Sequence, residues 1–248
     1  MPQGLRLFSL LAVASLGVVP GFAGDISNYV VPPGVNYGEQ YRLIFVTSVT
    51  NGANSMDIGY YDSFVTQLAN APGSMVQSLN LQWKVVGTTA DYWTVTTNAI
   101  DHIATTPDVP IYGLDGIQIA TGVGTGGQGL FSGSLMSGIH ITEQASDAAG
   151  ARVYTGICSA STGLACTDGW YALGFFQDYT MYGYAGHTDG TWATATAIWR
   201  NSTSYSLYAI SPALTNDAPE PAALGFIGGG MAVLCLVKRL RRPGSYSA

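Results

Sequence analysis

The sequence predicts an α+β domain of many short strands and one main helix, set between two apolar termini. Three observations carry this. A run of aromatic and β-branched residues opens the body of the chain, one amphipathic helical stretch follows it, and short strand-like segments between glycine-rich loops fill the rest. The sequence shows no fixed-period repeat, which argues against a solenoid or propeller.

The chain starts with "MPQGLRLFSLLAVASLGVVPGFAG". Arg6 precedes an apolar stretch over 7–19, Pro20 breaks it, and Gly21 and Ala23 are the small residues before a cut after Ala23. This is the layout of a secretory signal peptide over 1–23, with signal peptidase as the implied partner. The alternative is an uncleaved anchor, for which the apolar stretch is short.

The body holds 194 residues over 24–217, enough for one domain with its own core. From 25 to 220 fifteen acids face four cations (Arg42, Lys84, Arg152 and Arg200), a net charge of −11. So few cations cannot neutralise a run of phosphates, which argues against nucleic acid and against anionic lipid headgroups as partners.

In order, "YRLIFVTSVT" over 41–50 predicts a strand buried on both faces, because its centre is continuously apolar. "NSMDIGYYDSFVTQLANAPG" predicts the main helix. Ser55 is the expected N-cap, Ile58, Tyr61, Val65 and Leu68 recur at helical spacing, and Pro72 and Gly73 end it. "LQWKVVGTT" over 81–89 reads as a second strand, and 91–109 is ambiguous. "PIYGLDGIQIA" reads as a hairpin around a Leu-Asp-Gly turn. The glycine-rich 121–129 lacks the Gly-Lys-Ser/Thr ending of a phosphate loop. "ARVYTGI", "WYALGF", "ATAIW" and "YSLYAISPAL" are further strand candidates.

Candidate chemistry is sparse. His102, His140 and His187 each have an acid nearby (Asp101, Glu143 and Asp189), but none forms a known catalytic spacing. Glu143 suits either a buried acceptor of backbone hydrogen bonds or an acid catalyst. Asp168, Asp178 and Asp189 lie among loop aromatics, but no Asp-x-Asp-x-Asp-Gly ladder is present. No metal or other cofactor is therefore expected, calcium being the one ion that loop acids of this kind suit. "DYTMYGYAGHTDGTW" is the best candidate segment for ligand contact, through Tyr182, Tyr184 and Trp192, although packing of these rings onto the body is the favoured reading of such a loop. Cys158 and Cys166 enclose "CSASTGLAC", and in an exported chain a disulfide is the best reading of the pair.

The order of motifs from Tyr41 to Leu214 resembles the endostatin-like branch of the C-type-lectin-like superfamily. The features that carry the resemblance are an opening strand, a helix, the hairpin "IYGLDGIQIA", the step "LFSGSL", the run "RVYTGICSASTGLACTDGW" with Trp170 after the second cysteine, and "SYSLYAISPAL". The resemblance implies a C-type-lectin-like domain over 41–215, behind an extension over 24–40, with the last strand paired to the first. The Glu-Pro-Asn, Gln-Pro-Asp and Trp-Asn-Asp triplets of the sugar-binding members are absent.

The chain ends in "PEPAALGFIGGGMAVLCLVKRLRRPGSYSA". Pro219, Glu220 and Pro221 close a linker over 216–221. The apolar run 222–237 is about 24 Å long as a helix, somewhat short of a hydrocarbon core of about 30 Å. Leu240 and the stems of Lys238 and Arg239 extend the span to 222–240. A basic tail over 241–248 begins with Arg241 and Arg242. The cations favour a cytoplasmic end, and a buried core helix would not finish on four of them.

This tail resembles the PEP-CTERM sorting signal. The resemblance implies recognition and removal by exosortase, a membrane transpeptidase, in a Gram-negative bacterium that makes exopolysaccharide. The expected protein is then anchored transiently in the inner membrane and passes to the cell surface or matrix. It is expected to be a non-enzymatic binding or structural protein associated with exopolysaccharide, the alternative being a secreted hydrolase of envelope polymers.

Overall fold

Strand β1, Gln40–Val46, is buried from Tyr41 to Val46. The computed structural model describes residues 31–104, 108–175, 178–199 and 203–217. The expected signal peptide over 1–23 lies outside the described residues. So do the Pro-Glu-Pro motif, the expected spanning segment and the basic tail. Among the described residues, no helix is long and apolar enough to cross a membrane.

The architecture is mixed α+β. Among the described residues, one sheet runs β2 (Lys84–Val85), β10 (Tyr208–Ile210), β1, β5 (Ile111–Gly113) and β6 (Gln118–Ala120), with β11 (Leu214–Thr215) also paired to β1. β10 and β11 run antiparallel to β1, and β5 runs parallel to it. The last strands thus close onto the first. A second sheet joins β7 (Arg152–Tyr154), β8 (Tyr179–Tyr184) and β9 (Thr196–Trp199). A separate hairpin pairs β3 (Thr89–Asp91) with β4 (Thr94–Thr97).

Alternation along β1 splits the interior in two. Tyr41, Leu43 and Phe45 face a core shared with Trp83 and with Tyr61, Val65 and Ala69 of helix α1, Ile58–Ala69. Ile44 and Val46 face the opposite core, with Ile111, Ile119, Phe131, Trp192 and Ile210. Phe45 meets Trp83 edge to face at 5.0 Å. Arg42 is also buried on β1 and donates from Nη1 to the Ile103 carbonyl at 2.9 Å, with burial lowering its pKa.

Several expectations are met locally and others are corrected. The hairpin over 110–120 forms as β5 and β6, with Gly116 N–H donating to the Gly113 carbonyl at 3.0 Å. The cysteines form the disulfide Cys158–Cys166, their Cα atoms 5.0 Å apart. Helix α1 is capped by Asp57 and not by Ser55: Asp57 Oδ1 accepts from Gly59 N–H at 2.9 Å. Ser55 Oγ accepts from the Asp57 N–H instead, and the Ser55 N–H donates to the Tyr61 hydroxyl. β1 ends at Val46, before Thr50, because the Thr47 hydroxyl turns to the Val49 carbonyl and accepts from Leu207 N–H. The single strand expected over 81–89 is broken: it holds β2, Lys84–Val85, and at Thr89 the start of β3. The ambiguous 91–109 holds β4 and a second short helix, α2, Ala99–Ile103. "WYALGF" is not a strand, since Tyr171 and Gly174 both take positive φ.

Residues 31–39 pack onto the domain. Val31 and Val35 lie against the α1 core. Asn216 bonds both neighbours of this entry segment: its carbonyl accepts from Gly38 N–H at 2.9 Å and its Nδ2 donates to the Val35 carbonyl at 2.8 Å.

Two substitutions check this account. Asp57→Ala removes the cap of α1 and lowers unfolding free energy by about 1 kcal/mol. Gly183→Ala lowers it by more, because a Cβ there would stand 2.0 Å from the Trp192 carbonyl oxygen, which is backbone and cannot rotate away. Urea unfolding of both variants measures the ranking.

Candidate functional site

Trp192, expected at a ligand surface, is fully buried. It closes the 3₁₀ turn Gly190–Trp192, where Asp189 Oδ1 accepts from Thr191 N–H at 3.0 Å and turns the ring inward. Its ring packs near Phe131 and Tyr208 at 6.1 and 5.6 Å, and its carbonyl accepts from the Tyr208 hydroxyl at 3.1 Å. It supports the core and offers no face to a ligand.

Tyr182 and Tyr184 do come together, on one face of β8. Their hydroxyls are 3.4 Å apart and their rings meet edge to face at 5.5 Å. Tyr182 is itself buried, under Tyr205 and Arg152. The exposed Arg152 guanidinium lies 5.4 Å from the Tyr182 ring and 5.6 Å from that of Tyr205, and donates to the Tyr205 hydroxyl at 2.8 Å. Burial first, then the hydrogen bond with Tyr184, push the Tyr182 pKa up to about 12, so it stays protonated at neutral pH. A neutral phenol of this kind donates and accepts hydrogen bonds and does not serve as a base.

The histidines are apart from one another in role. His102 Nε2 lies 3.0 Å from Asp62 Oδ1, which also accepts from Val85 N–H at 2.8 Å. His140 Nδ1 bonds the Gly138 carbonyl at 2.8 Å, with Asp115 3.7 Å from its other nitrogen. His187 Nδ1 lies 2.7 Å from the Thr191 hydroxyl, which donates in turn to Asp189. The two Thr191 bonds, side chain before backbone, hold the Asp189 carboxyl below its usual pKa. That chain ends on an exposed carboxylate beside an open cleft of about 380 Å³ lined by Ser159, Asp189 and Thr191. Among the described residues, no group of three or more His, Cys, Asp and Glu is placed to hold a metal ion.

Glu143 takes the buried-acceptor role. It is fully buried, and its carboxylate accepts from Ser48 N–H at 3.0 Å and from the Ser48 hydroxyl. Its own carbonyl accepts from Met75 N–H at 2.8 Å. It thereby joins the loop after β1 to the segment following α1.

An outward display of aromatic side chains lies elsewhere, on residues that the sequence reading passed over. Tyr92 and Trp93 are the two turn residues of the β3–β4 hairpin and are 60% and 48% exposed. Trp93 lies 5.5 Å from Trp170 and 5.6 Å from Phe175, and Trp170 lies 5.8 Å from Tyr171. Beneath them Ala90, Ala172 and Phe175 form a small core of their own. Gly169, at φ 74°, lets the turn Thr167–Gly169 press on Ala90, where a Cβ would come within 2.6 Å. The neighbouring disulfide at Cys166 holds the start of that turn.

Glu143→Gln checks the structural role. It replaces one of the two oxygens that accept from Ser48 with an amide NH2, which sets a buried donor against a donor, and lowers unfolding free energy by about 1 to 3 kcal/mol, read by urea unfolding. Trp192→Ala costs about 3 to 5 kcal/mol by the same measurement, as for other buried aromatics.

No family model matches the chain, and no curated protein matches it either.

Proposed function

We propose that the chain is an exported, exosortase-processed protein of the cell surface or extracellular matrix, non-enzymatic and associated with exopolysaccharide. The observation that carries this is the order of features after 217: Pro219, Glu220 and Pro221, then the apolar 222–237, then Lys238, Arg239, Arg241 and Arg242. The signal-peptide layout over 1–23 supports the same route. In this reading the membrane span is temporary, and the released product carries the acidic domain outward.

A C-type-lectin-like fold of the endostatin branch is the proposed finer class of the domain. It is supported by the pairing of β10 and β11 with β1, by helix α1 following β1, the one long helix among the described residues, by the β5–β6 hairpin and by the Cys158–Cys166 loop. A fold of this class does not fix an activity, so the functional part of the proposal rests on the sorting features.

Mass spectrometry of the surface-exposed protein tests the route. The mature form is expected to lack Cys235 and the basic end, and to begin near Gly24. Replacing Pro219, Glu220 and Pro221 with alanine is expected to leave the uncut chain in the inner membrane. Recovery of surface protein with Arg242 intact would overturn the processing.

A further inference from the structure

We infer that Tyr92, Trp93, Trp170 and Tyr171 form a stacking platform for a neutral polysaccharide. The inference rests on the reading of the chain as a polysaccharide-associated protein and gives that association a site.

Backbone geometry is the first argument. A two-residue hairpin turn is ordinarily built from Gly, Asn or Asp, because it needs positive φ. Here the first turn position is Tyr92, at φ 49°. Tyr171, on the facing loop, is at φ 61°. Positive φ is an outlier for bulky side chains. Each strained aromatic adjoins one of the two tryptophans, Trp93 and Trp170, whose rings lie 5.5 Å apart, and Asp168, in the turn before Trp170, also has positive φ, at 57°. Backbone strain held by the surrounding structure concentrates at functional places. A turn chosen only to join β3 to β4 would not place two exposed aromatic rings at its tip.

Composition of the surface is the second argument. Indole and phenol rings offer flat apolar area with a polar edge, and a ring held by its neighbours loses little entropy on binding. Trp93 is held against Trp170 within the platform and against the buried Phe175, so the platform exists before a ligand arrives. Asp91 and Asp168 are exposed at its rim and can accept from sugar hydroxyls. Pyranose rings match this pattern, having apolar C–H faces and hydroxyl edges.

Charge selects among stacking ligands. Nucleobases also stack on aromatic rings, but a span with net charge −11 repels phosphodiester chains. The same field repels polyuronates and sulfated polymers. A neutral glycan remains.

Affinity electrophoresis tests the site. The full chain, purified in a polyoxyethylene detergent, is run through native gels cast with hydroxyethyl cellulose, galactomannan or polygalacturonate. The wild type is expected to be retarded by at least one neutral polymer and not by the polyuronate. Trp93→Ala is expected to weaken retardation at least tenfold, and Tyr37→Ala, an exposed tyrosine outside the platform, to leave it unchanged. Tyr92→Gly is the second variant: it relieves the strained turn, so its thermal midpoint should not fall below wild type while retardation weakens. Retardation equal to wild type in Trp93→Ala and Tyr92→Gly overturns the platform and leaves polysaccharide association standing. Retardation by polygalacturonate alone, lost in Arg152→Ala, overturns it in favour of the Arg152–Tyr182–Tyr205 face. Absence of any retardation of the wild type overturns both the platform and the association. A concentration-dependent dimer that Trp93→Ala abolishes, without polymer binding, assigns the surface to a second copy of the chain and overturns it too.

Discussion

The structure depends on the burial of β1 between strands drawn from the far end of the chain. Ile44 pairs with Ile210 and with Gly113, and both faces of the strand are covered. The alternation of Leu43 and Phe45 against Ile44 and Val46 therefore divides most of the interior between two cores, with only the small cluster under the β3–β4 hairpin lying apart among the described residues. A slip of one residue would reverse that assignment, so register is strongly specified. The cost is kinetic. β1 and β10 lie more than 160 residues apart, and the closing contact forms only after most of the body is available. On the proposed export route, the sheet would be completed only after transport of nearly the whole domain.

The aromatic residues divide by how their backbones are held. Trp192 turns inward because Asp189 closes a 3₁₀ turn ahead of it. Tyr92 and Trp93 turn outward because a two-residue hairpin leaves no interior for them. Tyr182 is intermediate, lying on a sheet face that Arg152 and Tyr205 cover. Electrostatics follow a simpler plan. Of the described cations, Arg42 is buried, Lys84 donates to the His102 carbonyl at 2.6 Å and Arg152 lies over tyrosine rings. The acids are left to dominate the outer field.

What could be read from the sequence was what local pattern determines. The apolar run of β1, the spacing of Tyr61 and Val65 on α1, the β5–β6 turn and the cysteine pair were all visible, because each leaves a short-range pattern in the sequence, even where, as for β1, its partners lie far along the chain. Asp57 was passed over as the cap because Ser55 two residues earlier satisfies the same preference. The facing of Trp192 was not legible, since a loop has no period from which to read an inside. The Tyr92–Trp93 turn was hidden for the opposite reason: its residues contradict the chemistry expected of a tight turn. The place where local expectation fails is also where the exposed rings gather, as occurs when a site is maintained against propensity.

Asn216 gives the domain a single doorway. By bonding Val35 and Gly38 it fixes the chain's exit beside its entrance. Five residues separate Asn216 from the start of the apolar run at Ala222, six Cα steps and so a leash of at most about 21 Å when fully extended. On the proposed route, the folded body is moored almost against the lipid surface, and the enzyme that severs it must work in a gap little wider than the leash is long. A tug on that leash falls first on Asn216 and β11, at the rim of the sheet, and reaches β1 only through them. Release therefore frees the domain without disturbing the strand on which its interior is built.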